Sequence, residues 1–480
     1  MKNARLFLLP LCLTASLQVT AKAKQPNVIF ILADDLAWSD VGYNSGEDSF
    51  YQTPKIDSLA KSGIILNNFY PGGANSAPSR ANLVTGMSNV RTKFYTPNAL
   101  AKGEVKYMRY SVPNNTFPKE RPFESHTELS PEIYSIAEML NSVGYNTARI
   151  GKWHLGADNQ GFKHSSSDGE KERLMYNVAQ GTELISAASL KFIEQNKDNP
   201  FFLYVAYFDV HTPLVADQKL IDKHKQRWAS WPDKSTKLSP IYAAMIEQVD
   251  NSVGDIFDKI HELNLSENTL IIFASDNGGV SYITNNAPLK GGKGNLYEGG
   301  IRTPAFACWP GVIKPNSESS TPVHSLDIMP TLAEISGAKL PDNQPVDGVS
   351  IMNVLKGKKL KERTLYWHYP LYLMGSTKKG ALNDKVFPIY GTNKMYWRAV
   401  PSSAILKQGW KLIYFYEYDK CELYNIEQDL SEKHELSEKN PKKVEELKQD
   451  LFEWLKLTSA DIPQKENPRF DANFVSKKKK

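Results

Sequence analysis

The chain has 480 residues, 41% hydrophobic and 23% charged, with a formal net charge of +5 and three cysteines. That composition excludes a disordered chain, and so few cysteines in this length exclude a small disulfide scaffold. No apolar run of about 20 residues follows the N-terminus, which excludes a polytopic membrane protein and leaves a globular chain with a large core and more than one domain.

The charge is unevenly placed. Lys2, Arg5 and Lys22 lie in the first 23 residues, and Lys477 to Lys480 end the chain. Without the first group the net charge is +2, and without the tail as well it is −2. The body is near neutral, which speaks against a nucleic-acid surface.

In chain order, Lys2 and Arg5 precede the apolar stretch Leu6 to Leu17, and Ala21-Lys22-Ala23 supplies small residues around a cleavage site. This order predicts a secretory signal over residues 1–23, hence an exported, periplasmic or secreted protein without a membrane span. Leu11 before Cys12 is too bulky for a lipoprotein cleavage site, so no lipid anchor is expected. The mature chain keeps Cys308 and Cys421, and the sequence leaves open whether they pair.

Asn27 to Leu32 is a short continuous apolar run, the pattern of a strand buried on both faces. Thr53 to Ser62 reads as a helix. Thr147 to Ile150, Phe201 to Phe208 and Thr269 to Ala274 are further strands. Pro131 to Ser142 and Tyr242 to Leu263 have helical periodicity, the latter through Met245, Val249, Val253, Ile256 and Ile260. Strands alternating with helices predict a doubly wound α/β sheet, and the fold expected is a large α/β domain of about residues 24–362 with a central mixed sheet flanked by helices. Beyond it, Met395 to Val400, Trp410 to Tyr416 and Glu422 to Ile426 are aromatic-rich strands. Pro441 to Leu457 is an amphipathic helix with Val444, Leu447, Leu451 and Leu455 on one stripe. They predict a smaller α+β domain over 363–480, an antiparallel sheet with a terminal helix and a solvated lysine tail.

In open α/β sheets ligands bind beyond the carboxyl ends of the strands. Four predicted strands end in residues that do chemistry: Asp34-Asp35, Lys152-Trp153-His154, Asp209-Val210-His211, and Asp276-Asn277. Asp34, Asp35, Asp276 and Asn277 offer only hard oxygen donors, which suit Ca²⁺ or, less well, Mg²⁺, rather than Zn²⁺. The segment Asn75 to Gly86 reads as a helix N-terminus with a serine cap and an early proline. Those rules do not explain why Arg80 lies one turn on from Ser76, on the same face.

Ser76-x-Pro78-Ser79-Arg80, with Thr85-Gly86 after it, resembles the signature of the formylglycine-dependent sulfatases of the alkaline phosphatase superfamily. Further motifs agree in order: Asn27 to Asp35, Gly151 to Gly156, His211-Thr212-Pro213, Ser275 to Gly279, Gly292 to Pro304, then Trp410 to Leu412 and Glu422 to Asn425. The resemblance spans nearly the whole mature chain. It implies that Ser76 is oxidised to formylglycine, whose hydrate attacks the sulfur of a sulfate ester; loss of the second hydroxyl proton then expels sulfate by C–O cleavage. A plain serine is a poor nucleophile near neutral pH and has no such exit.

The same resemblance assigns roles. Asp34, Asp35, Asp276 and Asn277 hold one Ca²⁺ together with the Ser76-derived group. Arg80 and Lys152 position the formylglycine hydroxyls, and Lys152 and Lys293 bind sulfate oxygens. His154 is the base in sulfate release, and His211 is the acid that protonates the leaving alcohol. Trp153 and Glu298 match family motifs but read as structural. Serine in place of the commoner cysteine points to an anaerobic-type maturase that accepts serine, and to a bacterial source.

The substrate expected is a sulfated glycan, an algal galactan such as carrageenan or a host glycosaminoglycan. A long insertion, Ala101 to Ser125, with Lys106, Tyr107, Arg109 and Tyr110, mixes charge and aromatic faces as a sugar-binding rim would. Met374 to Arg398, with Lys378, Lys379 and Tyr390, is a second such rim. Two other readings stay open: a phosphodiesterase or phosphonate monoester hydrolase of the same superfamily, and a sulfated-glycan binding protein that does no catalysis because Ser76 is unmodified.

Overall fold

The computed structural model describes residues 25–46, 48–96, 128–166, 178–232, 238–374, 387–388 and 396–463. The predicted secretory signal, the predicted insertion with Lys106, Tyr107, Arg109 and Tyr110, the expected rim residues Lys378, Lys379 and Tyr390, and the terminal lysines lie outside the described residues.

The predicted apolar runs form the centre of an eight-stranded sheet. Asn27–Ala33 lies between Phe201–Ala206 and Thr269–Ser275, parallel to both, and Asn146–Gly151 extends the parallel set beyond Phe201–Ala206. All seven residues of Asn27–Ala33 are buried, because helices cover both faces. Ala305–Cys308 then pairs antiparallel to Thr269–Ser275, which makes the sheet mixed as expected. One face packs under the long helix Pro240–Glu262, whose predicted stripe Met245, Val249, Val253, Ile256 and Ile260 is buried. The other face packs under Ser76–Thr85, Ile136–Asn141 and Ile328–Ser336.

One predicted helix is shorter than the periodicity implies. Over 131–142 only Ile136–Asn141 is helical, because Ser135 caps it. The Ser135 hydroxyl accepts from the Ala137 and Glu138 amides, and the Glu138 carboxylate accepts from the Ser135 amide at 2.8 Å, a reciprocal pair that fixes the start.

The C-terminal part is an antiparallel sheet in the order Leu365–Tyr369, Ser402–Lys407, Trp410–Phe415, Lys420–Asn425. Helix Pro441–Leu457 covers it through Leu447, Leu451 and Leu455, with Val444 half-buried beside them. The two parts share a core in which Tyr70, Tyr297 and Ile301 meet Leu365, Trp367 and Phe415. Cys308 and Cys421 are both free thiols, in different sheets.

His324 gives the fold a pH dependence. It sits 2% exposed before the turn Ser325–Asp327, and its Nδ1 accepts from the Leu326 amide at 3.2 Å. Burial, helped by the charge of Arg363, pushes its pKa down to about 3. A histidine neutral in the fold but charged when unfolded stabilises fully above its unfolded pKa of about 6.5, and that stability is lost as pH falls toward the folded value. Between pH 6.5 and 4.5 the loss is about 2 to 3 kcal/mol. Replacement by asparagine keeps an acceptor for Leu326, so the unfolding free energy of His324→Asn is expected to fall less over that range than the wild type's. Urea titrations at both pH values measure the difference; equal slopes would contradict the assignment.

Candidate active site

Four strand ends meet at one edge of the sheet. Parallel register sets Ala33 level with Ser275 and Gly151 level with Ala206. Backbone bonds then join the residues beyond them. The Asp34 amide donates to the Asp209 carbonyl at 3.1 Å, Val210 to Asp34 at 2.8 Å, Asp276 to Ala33 at 3.1 Å, and Lys152 to Ala206 at 2.8 Å. Asp35 and His154 sit at φ 63° and 64°, a costly conformation for residues with side chains, and one that concentrates at functional sites.

Helix Ser76–Thr85 is aimed at this edge. Asn75, not Ser76, is its cap residue, and Ser76 opens the first turn. The Ser76 hydroxyl is engaged elsewhere: it lies 3.1 Å from Asp34 Oδ1 and 3.2 Å from Asn277 Oδ1, with Lys293 Nζ at 3.4 Å. One turn on, Arg80 donates from Nε and Nη2 to Asp276 Oδ2 at 3.1 and 2.9 Å and lies 3.7 Å from Asp34. Lys152 Nζ pairs with Asp34, and Lys293 Nζ with Asp35 at 2.6 Å. The Asn277 amide donates to Asp35 Oδ1 at 2.7 Å. The structure therefore brings together Asp34, Asp35, Ser76, Arg80, Lys152, Asp276, Asn277 and Lys293.

The electrostatics are those of a buried ionic cluster. Burial works to raise the Asp34 carboxyl, but Lys152, His211, Arg80 and Lys293 hold it well below the usual carboxylate range. Burial and the charge of Asp34 push Asp276 up to about 6. Despite burial, Asp35 and Asp34 keep the Lys293 ammonium above its ordinary value.

Both predicted histidines border the cluster. His211 Nδ1 faces the Thr212 carbonyl, which can only accept, so Nδ1 carries hydrogen and Nε2 is the atom that gains or loses a proton. That Nε2 lies 3.7 Å from Asp35 Oδ2. Burial lowers the His211 pKa against the pull of Asp34 and Asp35. His154 is held well below its ordinary value by burial and then by Lys152 and Arg80, so it stands neutral; its buried Nδ1 has no hydrogen-bond partner among the described residues.

The donor set fits a divalent cation. Oxygens of Asp34, Asp35 and Asp276 lie within 4.8 Å of one another in a buried position, with the Asn277 carbonyl beside them. All are hard oxygen ligands, and mutual repulsion among buried carboxylates is what a bound cation relieves.

A family model described as Sulfatase matches residues 26–338, well over half of the chain. The chain belongs to the sulfatase family. This sulfatase is a sulfuric ester hydrolase, as the resemblance implied. A second model, described as N-sulphoglucosamine sulphohydrolase, C-terminal, matches residues 292–460. A sulfatase of Formosa agariphila is 30% identical, covering 89% of this chain and 88% of that protein. Human arylsulfatase A is 31% identical over 75% of this chain and 73% of its own length. Among solved structures, Ps i-CgsB in complex with k-i-k-neocarrahexaose is 28% identical, with a TM-score of 0.69, covering 93% of this chain and 96% of that one.

Two features of the sulfatase site escaped the sequence reading. Tyr204 lies inside an apolar strand, yet its hydroxyl is 3.4 Å from Arg80 Nη1. Nothing in the run around it marks that hydroxyl as polar support. Gly278 lies in the recognised SDNGG segment, but its reason is tertiary: a Cβ there would stand 1.7 Å from the Gly299 carbonyl. Trp153 and Glu298 are buried and structural, as expected; Glu298 holds Tyr70, Arg302 and Lys411.

Proposed function

We propose that this sulfatase is exported and hydrolyses sulfate esters of a sulfated polysaccharide or oligosaccharide, a galactan of the carrageenan type being the favoured substrate, with a formylglycine made from Ser76 and a Ca²⁺ held by Asp34, Asp35, Asp276 and Asn277. The observation that carries this reading is the convergence of the Ser76 hydroxyl with two carboxylate-bearing strand ends and Lys293, inside a buried cluster of three acids and three cations. The galactan is supported by the neocarrahexaose bound to the similar solved structure.

Formylglycine supplies, as its hydrate, a nucleophile with a second hydroxyl that permits release of sulfate. A bound Ca²⁺ supplies Lewis acidity toward a sulfate oxygen. The chain's own residues do the rest. Lys152 and Arg80 position the reacting side chain at residue 76. Lys152 and Lys293 bind sulfate oxygens and stabilise charge that grows on them. His211 delivers a proton from Nε2 to the departing alcohol oxygen. His154, held neutral, accepts the proton lost when sulfate is released. The maturation partner is a serine-type, anaerobic formylglycine-generating enzyme. The division into a catalytic part to residue 362 and a C-terminal part from 363 is part of the same proposal, supported by the antiparallel sheet that starts at Leu365.

Mass spectrometry of protein from a host with a serine-type maturase tests the reading. The Ser76 peptide is expected lighter by two hydrogens, or as its hydrate, with residues 1–23 removed and calcium present in elemental analysis. Only unmodified serine in a protein that still releases sulfate would overturn the formylglycine mechanism. Faster turnover of phosphate esters than of sulfate esters would move the enzyme to the phosphonate hydrolase reading.

A further inference from the structure

We propose that Arg398, held by Tyr282 at the mouth of the site, forms a subsite for a second sulfate ester, so that the enzyme selects glycans carrying more than one sulfate. The inference rests on the glycan-sulfatase reading above and narrows its substrate.

Gly294 links Arg398 to the reacting centre. It follows Lys293, whose Nζ is 3.4 Å from the Ser76 hydroxyl, and its amide donates to the Ala74 carbonyl at 2.8 Å, two residues before Ser76. Its φ is +102°, and a Cβ there would stand 2.9 Å from Arg398 Cδ and 2.7 Å from Leu373. The stem of Arg398 therefore lies on the backbone that carries Lys293. From there the guanidinium reaches 5.4 Å from the ring centre of Tyr282, which is 43% exposed. On the inner side, the charge of Arg398 acts on Tyr369, whose hydroxyl bonds the side chain of Asn75 next to Ser76.

The other cations of the site are committed: Arg80 to Asp276, Lys152 to Asp34, Lys293 to Asp35. Arg398 has no carboxylate partner among the described residues. A guanidinium laid on an aromatic face is pre-oriented, and its planar fork matches two oxygens of a sulfate. Lys293 lies beside Ser76 and Lys152 beside Asp34, which the Ser76 hydroxyl also meets, so an anion on Arg398 is a different group from the one hydrolysed.

The test compares three galactan oligosaccharides: one with a single sulfate at the hydrolysed position, one with a second sulfate on the adjoining sugar, and one with a uronate carboxylate in its place. The wild type is expected to prefer the doubly sulfated one in kcat/KM. Arg398→Ala is expected to lower that preference about 10- to 100-fold, the range for a charged hydrogen-bonded contact, chiefly through KM. Arg398→Lys keeps the charge and the stem but loses the fork, so it should recover only part. Tyr282→Leu, at an exposed position, should lower the preference less. No preference in the wild type, or a preference unchanged in Arg398→Ala, would overturn the proposal. So would an equal or larger loss on the uronate compound, which would make the subsite one for carboxylates. If Ser76 proves unmodified and nothing turns over, calorimetric binding of the same three compounds gives the same ratios, so failure of the mechanism and failure of the subsite are read separately.

Discussion

Ser76→Ala is expected to abolish sulfate release, by on the order of a million-fold, the loss that follows removal of a hydrolase nucleophile. Alanine has neither a hydroxyl nor a carbon that can be oxidised to an aldehyde under the same chemistry. The fold should tolerate it. Ser76 occupies the first turn of its helix, alanine is the best helix former, and Asp34 keeps Lys152 and Arg80 after losing the hydroxyl. A change in unfolding free energy below about 1 kcal/mol is expected, within the range of ordinary substitutions. Ion chromatography of released sulfate, read beside a urea melt, separates the two effects. Residual turnover of a few per cent in a well-folded variant would place the nucleophile elsewhere. Arg80→Ala is a contrasting case, since it leaves the buried Asp276 without its cation and should cost both stability and rate.

Lys411→Met is expected to destabilise the fold by about 3 to 5 kcal/mol, the cost of breaking a buried ionic network from one side. Lys411 Nζ lies 2.9 Å from Glu298 Oε1 and 2.9 Å from Glu432 Oε1, and all three side chains are fully buried. The Glu298 pair has hydrogen-bond geometry, whereas Glu432 Oε1 meets Lys411 by distance alone. Burial works to raise Glu298, but Lys411 and Arg302 bring it down to about 2; burial lifts Glu432 to about 7. One lysine thus serves two acids, and its loss leaves Glu432 without an ion-pair partner among the described residues and Glu298 with Arg302 alone. Adding Glu432→Gln to Lys411→Met removes the stranded charge, so the double variant should be more stable than the single one. Urea unfolding of the three proteins measures this. A loss below about 1 kcal/mol for Lys411→Met would mean that the network carries little weight. Activity should fall with stability, because Glu298 opens the helix Glu298–Ile301 that closes the Lys293 loop.

Much of this arrangement was legible in the sequence because of how parallel strands are buried. A strand covered on both faces must be apolar throughout, so the polar residues at its end stand out, as Asp34-Asp35 and Asp276-Asn277 do. The Ser76-to-Arg80 spacing could be read as one helical face, and both side chains do reach Asp34. The division of labour at the helix start could not. Ser76 and Asn75 are both ordinary cap residues, and only the approach of Asp34 and Asn277 decides that the serine hydroxyl turns to the ionic cluster rather than to the helix start. The role of Tyr204 was illegible for the same reason, and the rim that ends at Arg398 could be named without the partner that places its guanidinium. One sits in an apolar run and the other in the strand Tyr396–Ala399, and the contacts with Arg80 for the first and with Tyr282 and Gly294 for the second come from segments more than a hundred residues away.

For the proposed maturation, the burial of Ser76 also sets an order of events. Its side chain is 3% exposed, under Asp34, Asn277 and Lys293, which come from opposite ends of the large sheet's sequence. An enzyme that must grip the segment from Asn75 to Arg80 and withdraw hydrogen from the serine carbon cannot do so once that helix has docked. If Ser76 is matured as proposed, oxidation has to precede docking of the helix, and a chain that folds first keeps plain serine. On that proposal, yield of active enzyme depends on maturation outpacing folding, so slowing translation or lowering the growth temperature should raise the modified fraction without any change to the protein.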